Sequence, residues 1–188
     1  MTSNTHSTLA TMIALSLVGG LALLAPAQSL GQEKQKISWS AKAENTKYTF
    51  QHTLEIADVP GHVLRLYEIR RTYPDNPPVV QGVKVVEDVT RGVTDAIEGN
   101  GRAWGYGSWR LENGDVIFFE WQNSLQSVTN PDGSKRLTFP GVFVFKGGTG
   151  KMQGIRGVAR NMGFAEWAAS GAATRNEYSA EGQYWIEK

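Results

Sequence analysis

The glycine-dense stretch at residues 140–160 constrains the fold of this 188-residue chain more than any other segment. Four apolar residues at 142–145 predict a strand, and the sequence KGGTG at 146–150 predicts a sharp turn after it. Glycine adopts the positive-φ and close-approach conformations that a tightly bent β segment requires. We therefore expect a strand, a corner and a returning strand, as in a small β-barrel.

The same stretch invites comparison with a phosphate-binding loop through Gly150-Lys151. Such a loop requires a glycine, four further residues and then Gly-Lys-Ser/Thr. Phe145 occupies the position of the first glycine, and Met152 stands where the magnesium-binding hydroxyl belongs. No helical pattern follows that would offer its N-terminus to a phosphate. We interpret the stretch as a structural corner rather than a nucleotide site.

Short strands separated by turns account for most of the remaining chain. We expect strands at 48–57, 62–73, 79–89, 103–111, 116–122, 142–145, 158–165 and 176–187. Asn113-Gly114 is a favoured pair for a two-residue type I′ turn and predicts a hairpin. Many short strands at this spacing indicate an all-β sandwich or closed barrel.

Two of these segments, 116–119 and 142–145, are apolar on both faces. A half-solvated antiparallel strand would alternate instead. We expect one face to fill a barrel and the other to be covered by a loop, a helix or another subunit, with a sandwich core as the alternative.

The N-terminal region predicts export. Residues 9–25 are apolar, and Ala25-Pro26-Ala27 offers a cleavage signal of the A-x-A type. We expect a signal peptide at 1–31, cleaved after Ala27 or Gly31, and a secreted or periplasmic location. An uncleaved membrane anchor is the alternative. One β-barrel domain is expected at 32–188, with 32–47 as a leader or a first edge strand.

Composition excludes several classes of function. The chain has no cysteine, so it uses neither disulfides nor thiolate chemistry. Its 19 basic and 18 acidic residues are interspersed, and no basic patch with interleaved aromatics predicts nucleic-acid binding. The sequence shows no basic amphipathic helix, so we expect no role at a membrane after signal cleavage. His52 and His62 lack metal-site spacing, and no GxSxG motif occurs, so we expect no metal and no organic cofactor.

The glycine motif resembles that of a known family. GGTGKM at 147–152, followed by Gly154 and Arg156-Gly157, is similar to the GGTG-[RK]-F…G-x-R-G signature of the allene oxide cyclase barrel superfamily. That group includes plant cyclases, dirigent proteins and bacterial allene-oxide-cyclase-like proteins, and GYGSW at 105–109 is similar to the bacterial members. Met152 replaces the usual Phe. The resemblance covers residues 60–188 and implies an eight-stranded antiparallel β-barrel, often a homotrimer in plant members, but it transfers no catalytic residue.

The hairpin at 103–122 supplies the candidate site. A two-residue turn at Asn113-Gly114 places opposite each other residues whose numbers sum to 227. We expect one face to carry Trp109, Phe118, Glu120 and Gln122, with glycines leaving room beside the acid, as in a mostly apolar pocket. Glu120 is the candidate catalytic residue, because burial would suit it to proton transfer. The alternative is that the glycines only bend the barrel, and that Glu120 pairs with an arginine or faces solvent.

Two further sets of residues are candidates. The opposite hairpin face would hold aromatic side chains that form core, or that meet a subunit or a flat ligand. These are Trp104, Tyr106, Phe119 and Trp121, together with Arg110. Arg70 and Glu68 lie two residues apart, so they share a face and are candidates for a polar network inside the barrel or at an exposed strand end.

Three functions fit this sequence. The first is an exported barrel that binds a small hydrophobic molecule inside the barrel, with Trp109, Phe118, Gln122 and Arg70 as ligand contacts. The second is an isomerase or cyclase that moulds a reactive, oxylipin-like substrate and uses Glu120 or a bound water. The third is a structural or interaction module that acts through an aromatic outer face.

Overall fold

The computed structural model describes residues 33–187, so the predicted signal peptide lies outside the described residues. Within that range the chain forms eleven strands, two 3-10 helices and no α-helix. The strands are β1 Gln35–Lys42, β2 Thr46–Glu55, β3 His62–Thr72, β4 Val79–Val80, β5 Val83–Ile97, β6 Asn100–Leu111, β7 Val116–Thr129, β8 Lys135–Thr138, β9 Gly141–Gly148, β10 Ile155–Trp167 and β11 Ala173–Ile186. The 3-10 helices are Ala43–Asn45 and Gly150–Met152. No helix in this range is long and apolar enough to cross a bilayer.

The strands form one antiparallel sheet, in which four strands close into a β-barrel core and seven further strands extend it. Its order is β1-β11-β10-β8-β7-β6-β5-β3-β2, and β9 continues the position of β8 between β7 and β10. The short β4 pairs with β5 outside this path. The two ends of the order, β1 and β2, are consecutive along the chain and are joined by the first 3-10 helix. The all-β and β-barrel predictions are confirmed.

Side-chain alternation fixes which face of each strand points into the barrel. At 103–111 of β6 and 117–121 of β7 the odd-numbered residues are buried, apart from the half-buried Gly107, whereas the even-numbered ones are exposed or half-buried. Inward glycines create space for large neighbours on the adjoining strands. A Cβ at Gly107 would lie 2.2 Å from the ring of Phe119, and one at Gly92 would lie 2.3 Å from the ring of Trp121. Glycine is required at both positions because these rings occupy the place of a side chain.

Aromatic rings fill the interior. Those that contact one another there are Trp39, Tyr67, Trp109, Phe119, Trp121, Phe143, Phe145 and Tyr178. Their centroids are 4.8 to 6.3 Å apart, in edge-to-face or tilted contacts. Such pairs stabilise a core by about 0.5–1.5 kcal/mol beyond the burial of their area. The barrel therefore has a packed aromatic core.

The glycine-dense stretch forms the predicted corner. β9 ends at Gly148, the second 3-10 helix follows, and β10 returns antiparallel to β9. Gly150 has a φ of 53° and leaves room for the carboxylate of Asp115, which accepts a hydrogen bond from the amide of Lys151 at 3.1 Å. The amide of Val116 donates to the Thr149 hydroxyl at 2.9 Å. The corner thus anchors the β6–β7 turn.

The predicted strand at 79–89 is instead a hairpin followed by a longer strand. Gln81 and Gly82 have φ values of 50° and 76°, which makes them a two-residue turn between β4 and β5. β5 then continues to Ile97 through residues that the sequence pattern left undecided. Its inward residues are small or polar, so no apolar alternation marks the second half of the strand.

Candidate functional site

The pairing predicted for the β6–β7 hairpin is wrong by one residue. Gly105 lies opposite Trp121 and Tyr106 opposite Glu120, so facing residue numbers sum to 226 rather than 227. The amide of Gly114 donates to Leu111, and the amide of Leu111 donates to Asp115, which closes a loop of three residues. Gly114 has a φ of 87°, as in a three-residue loop that ends in a glycine bulge. A two-residue type I′ turn is therefore absent at this hairpin.

This shift separates the predicted site residues. Trp109 is fully buried and packs on Phe119 and Phe145 inside the barrel. Phe118 is 47% exposed on the outer wall, which it shares with Glu120 and Gln122. Trp109 therefore does not share a face with the other three, because a one-residue slip in register exchanges the faces of a strand.

The outer wall carries a groove over β6, β7 and β9. Its volume is about 310 Å³, and its lining is mostly apolar with a few polar groups. The lining residues are Trp104, Gly105, Tyr106, Glu120, Trp121, Gln122, Val142 and Val144. We call it the Trp104 groove. Predicted residues Glu120 and Gln122 lie in it, whereas Phe118 lies beside it on the same wall.

Cross-strand pairing builds the groove in two rows. Tyr106, Glu120 and Val144 form one row, and Trp104, Gln122 and Val142 form the next. Tyr106 is 68% exposed, so its ring presents a face to solvent. The Arg102 guanidinium lies 4.7 Å from the centre of the Trp104 ring, a cation–π contact beside the groove.

Glu120 carries the only carboxylate in the lining of this groove. The Lys146 ammonium lies 3.3 Å from its Oε2, and both side chains are about half exposed. This ion pair matches the alternative in which Glu120 has a cationic partner, although the partner is a lysine rather than an arginine. Its open setting differs from the desolvated acid that the site hypothesis required.

Arg70 and Glu68 share a face, as predicted, and that face is the outer one. The Arg70 guanidinium contacts Glu68 at 3.1 Å and Glu87 at 3.2 Å, and Arg91 lies 2.8 Å from Glu68. The hydroxyl of Thr49 donates to Glu68 at 2.7 Å, which lowers the pKa of that carboxyl. Arg70 therefore belongs to a surface network on β3 and β5, and it does not line the Trp104 groove. It is the neighbouring residue Arg71 that points inward.

A buried polar cluster surrounds Arg71, which sequence reasoning did not find. The carboxylate of Asp88 accepts hydrogen bonds from the hydroxyls of Tyr73 at 3.1 Å and Thr90 at 2.9 Å. Arg71 donates to Thr90 at 3.1 Å and lies 3.6 Å from Asp88. Asp88 is almost fully buried, so it depends on these partners.

Burial raises the pKa of the interior tyrosines. It raises the pKa of Tyr67 to about 12, and it holds the pKa values of Tyr73 and Tyr178 well above their usual range. These phenols therefore stay neutral at working pH. Several buried polar atoms have no hydrogen-bond partner among the described residues, namely the indole nitrogens of Trp39, Trp109 and Trp121, the Tyr178 hydroxyl and the amide oxygens of Asn123 and Asn161.

The described residues hold no cluster of three or more His, Asp or Glu side chains arranged for a metal ion. His62 comes nearest, between the carboxylates of Asp58 at 2.6 Å and Asp95 at 3.0 Å. Both of its ring nitrogens are thereby engaged by carboxylates, which makes this a structural ion pair.

Sequence reasoning assigned Trp104 and Tyr106 to a different face from Glu120 and grouped them with core residues. Because these two residues lie two positions apart, the sequence did indicate that they share a face. The predicted register, however, placed Glu120 on the other face of the hairpin.

Comparisons with protein-family models, curated proteins and solved structures find no match to this chain. The resemblance to allene oxide cyclase barrels therefore stays a prediction based on its motif.

Proposed function

We propose that this protein binds a small hydrophobic molecule in the Trp104 groove on the outer wall of its barrel. One observation carries the proposal: exposed rings, two valines and a few convergent polar groups line a concavity of about 310 Å³. Ligand sites are typically concave and mostly apolar with a few oriented polar groups. Trp104 and Tyr106 would cover the flat faces of a ligand, and Gln122 would orient its polar end.

The outer groove is a better supported location than the barrel interior. Aromatic rings pack edge to face in the interior, so an apolar guest would have to displace them. The unpartnered indole and phenol groups inside support small polar guests such as ordered water. A hydrophobic ligand is therefore assigned to the wall.

Organic extraction of the purified protein, followed by mass spectrometry, tests this function. We expect a small apolar compound to be enriched over a mock purification, and its yield to fall in Trp104→Ala. Phe118→Ala removes an exposed ring of the same wall that lies beside the groove, so it is the matched control. Equal yields from wild type and Trp104→Ala would contradict the proposal.

The isomerase or cyclase alternative depends on the position of Glu120. Its carboxylate lies in the groove wall opposite Tyr106, so it would reach a bound substrate. If the extracted compound is converted by the protein, Glu120→Gln must lower kcat by at least about tenfold, since a positioned acid or base contributes about 10²–10⁴-fold. Unchanged turnover in this variant would remove Glu120 from the mechanism.

Self-association is supported by β2. This strand pairs with β3 on one edge and with no other strand among the described residues, and Phe50 and Leu54 are half exposed on it. An exposed apolar edge is a site of strand addition. We propose that copies of the chain associate through β2, in a homo-oligomer such as the trimer that the resemblance implies. Light scattering tests it, with Leu54→Lys as the disrupting variant.

The finer fold assignment is also a proposal. β1 and β2 would count as one bent strand, β8 and β9 as one interrupted strand, and β4 as an addition outside the barrel. This grouping gives the eight antiparallel strands of an allene oxide cyclase barrel. Its support is that β8 and β9 both pair with β7 and β10, and that three residues separate β1 from β2. An experimental structure that pairs these strands differently would refute it.

A further inference from the structure

A second groove lies on the outer faces of β1, β10 and β11. Its volume is about 790 Å³, more than twice that of the Trp104 groove, and the two share no lining residue. The lining consists of Lys34, Lys36, Ile37, Ser38, Val158, Arg160, Glu181, Gly182, Gln183 and Trp185. We call it the Arg160 groove.

Positive charge exceeds negative charge in this groove. Lys34, Lys36 and Arg160 contribute three cations, and Glu181 contributes the one carboxylate of the lining. The whole chain, by contrast, has a net charge of +1 spread over 188 residues. The groove is therefore a local site of excess positive charge on a nearly neutral protein.

Arg160 is unusual among the arginines of residues 33–187. Eight others have a carboxylate within 4.0 Å, and Arg65 lies over the rings of Tyr48 and Tyr67. Arg160 has neither kind of partner among the described residues. Glu181 lies directly across from it on β11, yet the two side chains do not approach within 4.0 Å. An exposed guanidinium in a groove, with its donors free, suits a planar oxyanion.

An apolar surface adjoins these charges. Val158 is 49% exposed and lies two residues from Arg160 on the same face of β10. Trp185 is half-buried, with the ammonium of Lys34 5.3 Å from its ring centre. Ring, aliphatic and cationic groups thus line one continuous groove. Such a lining matches a molecule that has both an apolar body and an anionic group.

We propose that the Arg160 groove binds a small organic anion, such as an aromatic carboxylate or sulfonate. Arg160 and Lys36 would contact the anionic group, and Val158 and Trp185 would contact the apolar body. This site is separate from the Trp104 groove, so it holds whether or not that groove binds a hydrophobic molecule.

Two fluorescent probes test the proposal directly. Anilinonaphthalene sulfonate carries an apolar ring system with one anionic group, and phenylnaphthylamine has the same rings without the charge. We expect Arg160→Gln to weaken binding of the sulfonate about three- to tenfold at low salt, since it removes one charge and its hydrogen bonds. Glu181→Gln removes the opposing carboxylate and is expected to strengthen binding. Neither change is expected to alter the affinity for the neutral probe.

A matched control excludes a general effect of protein charge. Arg91→Gln removes the same charge from β5, outside both grooves. We expect it to leave the affinity for the sulfonate unchanged. The proposal is overturned if Arg160→Gln has no effect, if Arg91→Gln weakens binding equally, or if the charged and neutral probes respond alike to the groove variants.

Discussion

Two neighbouring arginines, Arg70 and Arg71, lie on opposite faces of β3 and form ion pairs in different surroundings. Arg70 projects from the outer wall into a solvated network with Glu68 and Glu87. Arg71 projects inward, where it contacts Asp88 and Thr90. Because alternate residues of a strand face opposite sides, one step along β3 converts a surface ion pair into a buried one.

This difference predicts unequal costs of substitution. Arg71→Gln leaves the buried Asp88 without its cation and should lower the free energy of unfolding by about 3–5 kcal/mol. Arg70→Gln breaks a surface network and should cost at most about 1 kcal/mol. Urea denaturation of both variants measures the difference. Equal costs would mean that the inward and outward faces of β3 are misassigned.

Gly150 provides a second prediction for a single residue. Alanine there meets both an unfavourable φ of 53° and the carboxylate of Asp115. Gly114→Ala is the matched control, because its φ of 87° is also positive but no atom lies within 4 Å of the added Cβ. We expect Gly150→Ala to be about 1–3 kcal/mol less stable than Gly114→Ala. Thermal or urea unfolding of the two variants measures this difference in stability. Equal stability would mean that the Asp115 contact does not constrain the corner.

Individual elements were predictable where local chemistry decides them. Apolar alternation and turn residues located most strands, and glycine density located the corner after β9. The register of β6 against β7 was not predictable, because Asn113-Gly114 fits both two-residue and three-residue loops. In the fold, the carboxylate of Asp115 in this loop accepts a hydrogen bond from the amide of Lys151, which lies far along the chain. Since register decides the face of every side chain, the three-residue loop separates Trp109 from the candidate site.

His62 contacts the carboxylates of Asp58 and Asp95 at the turn between β2 and β3. We call these three residues the histidine clamp. Hydrogen bonds to Asp95 and then Asp58 raise the pKa of His62, and the same bonds lower the pKa values of both carboxyl groups. Arg102 lies 3.4 Å from the other oxygen of Asp95. The clamp therefore joins the turn, the start of β3 and the end of β5 through charges of alternating sign.

The clamp predicts a dependence of stability on pH. The raised pKa of His62 contributes stability that is complete below about pH 6.5 and is lost as the pH rises through the folded value. The lowered pKa values of Asp58 and Asp95 contribute stability above about pH 4 that is lost as the pH falls through their folded values. Denaturation from pH 4 to 9 should show this decline at high pH in wild type and in His52→Gln, but not in His62→Gln. Identical pH profiles for all three would refute the clamp.

At the scale of the whole molecule, aromatic rings form the core, and both grooves lie on the outer wall. The packed rings inside stabilise the barrel, and we propose that the grooves outside bind ligands. Sequence composition excluded thiolate chemistry and gave no sign of nucleic-acid binding, and both conclusions concern the whole chain. It could not indicate that the interior is filled, because that depends on which face each aromatic residue occupies.

Export is a prediction for the whole chain. We expect the protein to be found outside the cytoplasm, with a new N-terminus at Gln28 or Gln32 after cleavage behind Ala27 or Gly31. Fractionation followed by N-terminal sequencing measures both. A mature protein that retains Met1 would support the uncleaved anchor instead.

A titration with phenylnaphthylamine distinguishes an apolar ligand site in the outer Trp104 groove from one in the barrel interior. We expect Tyr106→Ala to weaken binding about five- to tenfold through loss of the exposed ring, and Phe118→Ala to leave it unchanged. Circular dichroism in the aromatic region should be nearly the same for both variants, because neither ring is part of the core. Binding that is insensitive to Tyr106→Ala would mean that the ligand does not occupy the Trp104 groove.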